Sequence, residues 1–151
     1  MTALKVADLM SLEVVTAEPG DSVAKLYDLM AEQHIRHIPI LDEDEDVIGI
    51  VSHRDLVGAA LGGNTELPVS ELQEFLREIK AQEIMNTGVE TVAPDENIDD
   101  AGALLMESKY GCLPVTENGH LVGILTESDF VRYVVEDQRT AGMRSPLLFG
   151  V

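Results

Sequence analysis

The chain reads twice. Residues 47–56, VIGIVSHRDL, return as LVGILTESDF at 121–130, an offset of 74. Upstream, EVVTAEP at 13–19 answers GVETVAP at 88–94, and HIPI at 37–40 answers CLPV at 112–115, both at an offset of 75. One residue is lost in between, where LDEDED faces TENGH. Identities at Met10/Met85, Thr16/Thr91, Pro19/Pro94, Pro39/Pro114, Gly49/Gly123 and Asp55/Asp129 hold the alignment. Two copies are a tandem duplication rather than a solenoid, which needs about three or more repeats. Neither copy, at roughly fifty-odd residues, buries enough surface to be comfortably stable alone, so the halves are expected to pack together.

Each copy predicts the order strand, helix, strand, strand, helix. The first strands are LEVVT (12–16) and GVETV (88–92). The first helices are SVAKLYDLMAEQ (22–33), with Val23, Leu26 and Met30 on one face, and NIDDAGALLMES (97–108), with Ile98, Ala101 and Leu105 on one face. Ser22 and Asn97 suit their N-caps. Two apolar runs follow in each copy, joined by DEDED in the first and ENGH in the second; Asn-Gly between apolar runs is a strong hairpin signal. The second helices open at Ser52 and Thr126. The expected division is repeat one at 4–62, a linker with a short helix (SELQEFLREIK) at 63–80, repeat two at 81–137, and a patternless tail at 138–151.

Composition removes several function classes. With 28 acidic against 10 basic side chains the net charge is −18, and no basic stripe suits a nucleic-acid polymer or an anionic membrane. Such acidity favours solubility and also fits a salty cytoplasm. The single cysteine, Cys112, allows no internal disulfide and reads as a small buried hydrophobe. No apolar run has the length of a signal peptide or a membrane span, so a cytoplasmic protein is expected. Catalytic signatures are missing: no Gly-x-Ser-x-Gly elbow, no phosphate loop, no metal-spaced His/Glu pair. The DEDED run lacks the spacing and glycine of a calcium loop, and His34, His37 and His53 lack the cysteine or carboxylate company of a zinc site, so no metal is expected.

Ser52-x-x-Asp55 and Thr126-x-x-Asp129 are capping boxes, which is a structural role sufficient in itself. A helix start is also an anion site, and a carboxylate held there can accept both hydroxyls of a ribose. Around the first box gather Arg36, His37, His53 and Arg54, unusual company in so acidic a chain.

The ordered set DLM-x3-VVT-x2-P, helix, IPIL, VIGIVSHRD, with its second copy EIM-x3-VETVAP to LVGILTESD, resembles the CBS domain over residues 4–136. A tandem pair of these is a Bateman module. The resemblance implies an α+β fold of two β-α-β-β-α repeats, packed through their sheets around a pseudo-twofold axis with two clefts between them. It implies a stand-alone regulatory module, not an enzyme, that binds an adenine nucleotide and signals to an unidentified partner protein. By position, Ser52, Asp55, Thr126 and Asp129 would contact ribose, and Arg36, His37, His53 and Arg54 would contact phosphate. Ile35 and Tyr110 either sandwich the base or simply pack in the core or interface, and Pro39 and Pro114 would expose backbone groups to that base. AMP, ADP, ATP, S-adenosylmethionine, NAD and a cyclic dinucleotide all remain open as ligands, and no cofactor is required. The second cleft has Gly111 and Cys112 in place of Arg36 and His37, and Glu127 and Ser128 after Thr126; with only Lys109 close by, it is poor in positive charge. Unequal clefts are therefore expected. The competing reading is a ligand-free interaction module whose capping boxes are purely structural. A small hydrolase using His53 and Asp55 is disfavoured, because adjacent helix positions do not converge on one atom. A homodimer is expected, with Leu29, Leu56, Leu104, Phe130 and Val134 as candidates for its apolar patch.

Overall fold

The computed structural model describes residues 4–62, 68–108 and 110–144; Lys109, the linker residues 63–67 and the tail beyond 144 lie outside it. In chain order the elements are α1 (Val6–Leu9), α2 (Val23–Gln33), β1 (His37–Leu41), β2 (Val47–Ser52), α3 (His53–Gly62), α4 (Val69–Glu78), α5 (Ala81–Ile84), α6 (Ile98–Glu107), β3 (Cys112–Glu117), β4 (His120–Thr126) and α7 (Glu127–Arg144).

The first helix of each repeat forms where the apolar spacing puts it. Helix α2 buries Val23, Leu26 and Met30, and the Ser22 hydroxyl accepts the Lys25 N–H at 3.1 Å. Helix α6 buries Ala101 and Leu105, and the Asn97 side chain accepts the Asp99 N–H at 2.7 Å. Helix α2 ends on His34 in the left-handed region (φ 55°), a position that commonly ends a helix. Strands β1 and β2 form an antiparallel hairpin pairing His37 with Ser52 and Pro39 with Ile50; β3 and β4 repeat it, pairing Cys112 with Thr126 and Pro114 with Ile124. Each hairpin carries a register shift at the same place, after Ile40 and after Val115. Asn118 and Gly119 both have positive φ, as the two-residue turn between β3 and β4 demands.

The expected first strands shrink to one parallel bridge each, Ala17 to Ile40 and Val92 to Val115. The Ala17 N–H donates to the Pro39 carbonyl and the Leu41 N–H to the Ala17 carbonyl. The next rung would need an N–H on Pro39, which has none, so pairing stops before Val15. Pro114 ends the second copy in the same way, before Glu90. One further extent differs from the sequence reading: α7 continues past Gln138 to Arg144, where a patternless tail was expected.

The two repeats exchange their leading arms. Helix α1 does not pack on the hairpin that follows it. Val6 and Leu9 lie in the core of the second repeat with Val92, Ala101, Leu105, Leu113, Val115 and Leu125. Ala81 of α5 lies in the core of the first repeat with Val23, Leu26, Met30, Ile38, Ile40 and Val51. Behind each helix the arm joins the other repeat's sheet. Ser11 exchanges both backbone hydrogen bonds with Ile124, and Asn86 does so with Ile50. The glycine pair now has a cause. A Cβ on Gly49 would stand 2.6 Å from Met85 Sδ and 3.1 Å from the Asn86 carbonyl, and one on Gly123 would stand 2.8 Å from Met10 Sδ and 3.0 Å from the Ser11 carbonyl. The repeated methionines and the repeated glycines are therefore two sides of one contact. A third apolar cluster, Ile50, Cys112 and Ile124 with Val14, Val89 and Tyr110 against it, joins the repeats.

Candidate functional site

The site builds outward from the junction of β2 and α3. Strand β2 ends at Ser52, whose backbone N–H donates to Asp55 Oδ2 at 2.7 Å while the Asp55 N–H reaches Ser52 Oγ at 3.3 Å. This is the capping box that the spelling Ser-x-x-Asp predicts. The Ser52 hydroxyl also donates to Oδ2 at 2.8 Å, and the Asn86 side-chain amide, arriving on the exchanged arm, donates to the same oxygen at 2.8 Å. All three donors besides the helix crowd one oxygen. Among the described residues nothing donates to Asp55 Oδ1, and the side chain is only half-buried.

Beside it, register brings the basic cluster close. His37 is the cross-strand partner of Ser52, and the His53 N–H donates to the Arg36 carbonyl at 2.8 Å. Arg36, His53 and Arg54 are exposed, and among the described residues neither arginine is in an ion pair. In an acidic chain that is informative, because surface cations find partners easily. His37 is different. Burial holds its imidazolium below the ordinary 6.5, the largest influence; a hydrogen bond to the Tyr110 backbone and the charges of Glu127 and Asp55 oppose this, and Arg36 adds to it. His37 faces the second repeat: its Nε2 lies 3.5 Å and Glu127 Oε1 3.9 Å from where a side chain at Gly111 would begin. Gly111 itself has φ 70°.

The residues expected to flank a base are less exposed. Pro39 and Pro114 are buried in their strands with their carbonyls engaged. Ile35 packs against the first core and Tyr110 against the cluster joining the repeats. Cys112 is buried, which pushes its thiol up to about 12 and leaves it inert.

In the second repeat the matching junction is closed. Asp129 is 2% exposed. Its Oδ2 accepts the Thr126 N–H at 2.8 Å and the Thr126 hydroxyl at 3.2 Å; its Oδ1 accepts the Ser11 hydroxyl at 2.8 Å and Arg132 at 2.6 Å. Sequence reading missed Ser11, Asn86 and Arg132. The first two stand at equivalent positions, 75 apart, and the repeat was the signal that could have found them.

Elsewhere, the turn after β1 brings one oxygen each of Asp42, Asp44 and Asp46 within 4.8 Å of one another. Asp42 Oδ1 accepts the N–H groups of Asp44 and Asp46, so the trio follows from the turn's own hydrogen bonding. His34, His37 and His53 form no such group among the described residues. Two hollows, of about 250 Å³ beside Val14, Thr16 and His120 and about 540 Å³ beside Pro19 and Asp42, lie away from the β2–α3 junction. The hydrogen-bonding chemistry nevertheless points to the partly exposed junction rather than to these volumes. No helix among the described residues is long and apolar enough to cross a membrane.

Comparison with known proteins places the fold. The family model for the CBS domain matches residues 6–62 and again 81–136. The chain is 28% identical over 141 residues to the CBS domain-containing protein CBSX1, chloroplastic, of Arabidopsis thaliana, a match covering 82% of this chain but 60% of that relative's length. The crystal structure of the CBS-pair protein CBSX2 from Arabidopsis thaliana superposes with a TM-score of 0.78 at 29% identity, covering 91% of this chain and 99% of that one. CBSX2 in complex with AMP gives 0.69 at 28% identity, covering 89% and 98%. The CBS domain pair of protein MJ0100, in complex with 5′-methylthioadenosine and S-adenosyl-L-methionine, gives 0.75 at 25% identity, covering 90% and 99%.

Proposed function

The chain belongs to the CBS-domain family, as a tandem pair of α+β repeats, and we propose that it is a regulatory module that binds an adenine nucleotide at the β2–α3 junction of the first repeat and relays that state to a partner protein. The observation that carries this reading is Asp55 Oδ1, open among the described residues, at a helix start, beside two arginines that no described acid has claimed. A ribose diol needs an acceptor that is not already spent, and Asp55 offers one. A phosphate needs charge, and Arg36 and Arg54 supply it in a bidentate form. His37, whose imidazolium burial disfavours and which faces Glu127, adds a titratable hydrogen-bonding group beside them. Ser52 and His53 stand at the same junction, and Ile35 and Tyr110, each only partly buried, are the apolar side chains offered to a base. That relatives of similar fold are seen with AMP, and with 5′-methylthioadenosine and S-adenosyl-L-methionine, supports the ligand class.

We also propose a homodimer through α3 and α7. The patch differs from the one the sequence suggested: Leu56 is core, turned inward in the first turn after the capping box, and the exposed apolar residues are Val57 and Leu61 on α3 and Val131, Tyr133, Val134 and Val135 on α7. Light scattering at moderate salt tests it, since charge repulsion at low salt would mask association.

Calorimetry with AMP, ADP, ATP and adenosine tests the ligand reading. Arg36→Ala or Arg54→Ala is expected to weaken AMP by about 1.5–3 kcal/mol and leave adenosine nearly unchanged, because a charge-assisted hydrogen bond is removed. Failure of all three nucleotides to bind at about millimolar concentration, an affinity of about −4 kcal/mol, would leave the capping boxes as purely structural.

A further inference from the structure

Among the differences between the two junctions, one stands over the carboxylate itself, on the helix that follows each. Three positions after Asp129, α7 carries Arg132; at the matching place after Asp55, α3 carries Gly58. Arg132 lies 2.6 Å from Asp129 Oδ1, with the arginine side chain 55% exposed and the aspartate side chain fully buried. An ionised carboxylate has about four lone-pair sites. Asp129 has four donors on it: the Thr126 N–H and hydroxyl, the Ser11 hydroxyl and Arg132. Nothing is left for a ribose. In the first repeat a side chain begun at Gly58 would meet nothing within 4 Å, and glycine there supplies nothing to cover Asp55 as Arg132 covers Asp129.

We infer that residue 132, and the matching residue 58, decide how many nucleoside sites the chain has: Arg132 is an internal cap on the second repeat's ribose acceptor, and Gly58 leaves the first repeat's acceptor uncovered. The inference rests on the proposed role of Asp55. It adds a selectivity, because the second box has Glu127 and Ser128 on its own helix, and Gly111 and Cys112 where β3 begins beside Thr126; His37 of the first repeat lies near Gly111 and Glu127. With Arg132 gone, no described arginine or lysine of these elements close to it remains to meet a phosphate. The uncovered second site would take an uncharged adenosine compound and reject a nucleotide. The guanidinium is the mobile member of the pair, being half in solvent at the end of a flexible stem, so its removal uncovers the carboxylate without disturbing the capping bonds from Thr126.

Three variants of the full chain, two of them reciprocal, test this by calorimetry with 5′-methylthioadenosine and with AMP. Arg132→Ala is expected to raise the stoichiometry for 5′-methylthioadenosine from about one to about two per chain, as a filled acceptor is released, and to leave AMP at about one. Arg132→Lys keeps a cation over Asp129 and is expected to stay at about one. Gly58→Arg is expected to weaken both ligands at the first site at least about tenfold, the loss of roughly one hydrogen bond's free energy. Folding is not in question for that variant, since arginine is a better helix former than glycine. Wild type binding two equivalent ligands, Arg132→Ala still binding one, or Gly58→Arg binding like wild type would each overturn the inference. Wild type binding none while Arg132→Ala binds one would overturn the reading of Asp55 and uphold that of Arg132; no binding by any variant would overturn both.

Discussion

Asp55 and Asp129 occupy the same place in two copies of one unit, and the molecule uses them differently. Each closes a capping box and each receives a side chain from the other repeat's arm, Asn86 on Asp55 and Ser11 on Asp129. Asn86 adds its amide to an oxygen that already has two donors and leaves the other free; Ser11 and Arg132 take the free oxygen. The duplicated backbone fixes where a carboxylate stands. Its neighbours decide whether it is a strut or a receptor.

The comparison breaks first on stability. Asp129→Ala strips four donors of a buried acceptor and is expected to cost about 2–3 kcal/mol, short of the full penalty for a buried pair because Arg132 can turn to solvent. Asp55→Ala is expected to cost about 1 kcal/mol, the loss of a cap, while removing adenosine and AMP binding together. Urea unfolding of the two variants side by side measures the difference, and equal losses would mean that the two carboxylates are not differently employed.

The arm contacts should behave alike, which sharpens the contrast. Gly49→Ala and Gly123→Ala each push a Cβ against a methionine sulfur and an arm carbonyl, and each is expected to cost about 1–2 kcal/mol by overpacking. A thermal melt in which one is silent would show that one arm is held less tightly than the other.

A smaller effect is expected at Gly111, the counterpart of Arg36. Gly111→Ala forces a side chain into the left-handed region and is expected to cost about 1 kcal/mol, measurable by the shift in urea midpoint. Arg36 is not among the residues with positive φ, so Arg36→Ala should not share that cost.

The smallest effect is that of pH. The folded chain holds the His37 pKa below its ordinary 6.5, so the unfolded chain takes up a proton first as pH falls. This contribution to stability is intact above pH 6.5 and declines as pH drops through the lowered folded value. A bound phosphate would restore the proton to His37, so AMP should bind more tightly as pH falls while the free protein weakens. His37→Gln should flatten both trends in parallel titrations.

Much of this was legible in the chain. The duplication, the helix faces of α2 and α6, the hairpins and the Ser52-x-x-Asp55 cap are all local patterns, spelled within a few residues. The unequal charge of the residues around the two capping boxes was legible for the same reason. What escaped was which copy each arm serves. KVADLM and KAQEIM look like the opening of their own repeats, and no periodicity within them says that Val6 will lie beside Leu125 or that Asn86 will reach Asp55. The saturation of Asp129 was half visible, since Asp-x-x-Arg on a helix is a pairing distance, but Ser11 is 118 residues away. The first strands were over-read because alternation in LEVVT and GVETV promises pairing that Pro39 and Pro114 then deny.

The exchange of arms is reciprocal between equivalent segments, so it can equally be written between two separate molecules of a single repeat. Each would lend its arm to the other under a true twofold axis and receive the same in return. Such a pair would hold together only as far as its concentration allowed. Joining the copies into one chain makes the second encounter intramolecular, at an effective concentration set by the connection between them. It also frees the two halves to diverge, because a change such as glycine to arginine in one need no longer appear in the other. In this chain asymmetry at the two carboxylates is what covalent linkage permits and a symmetric pair forbids.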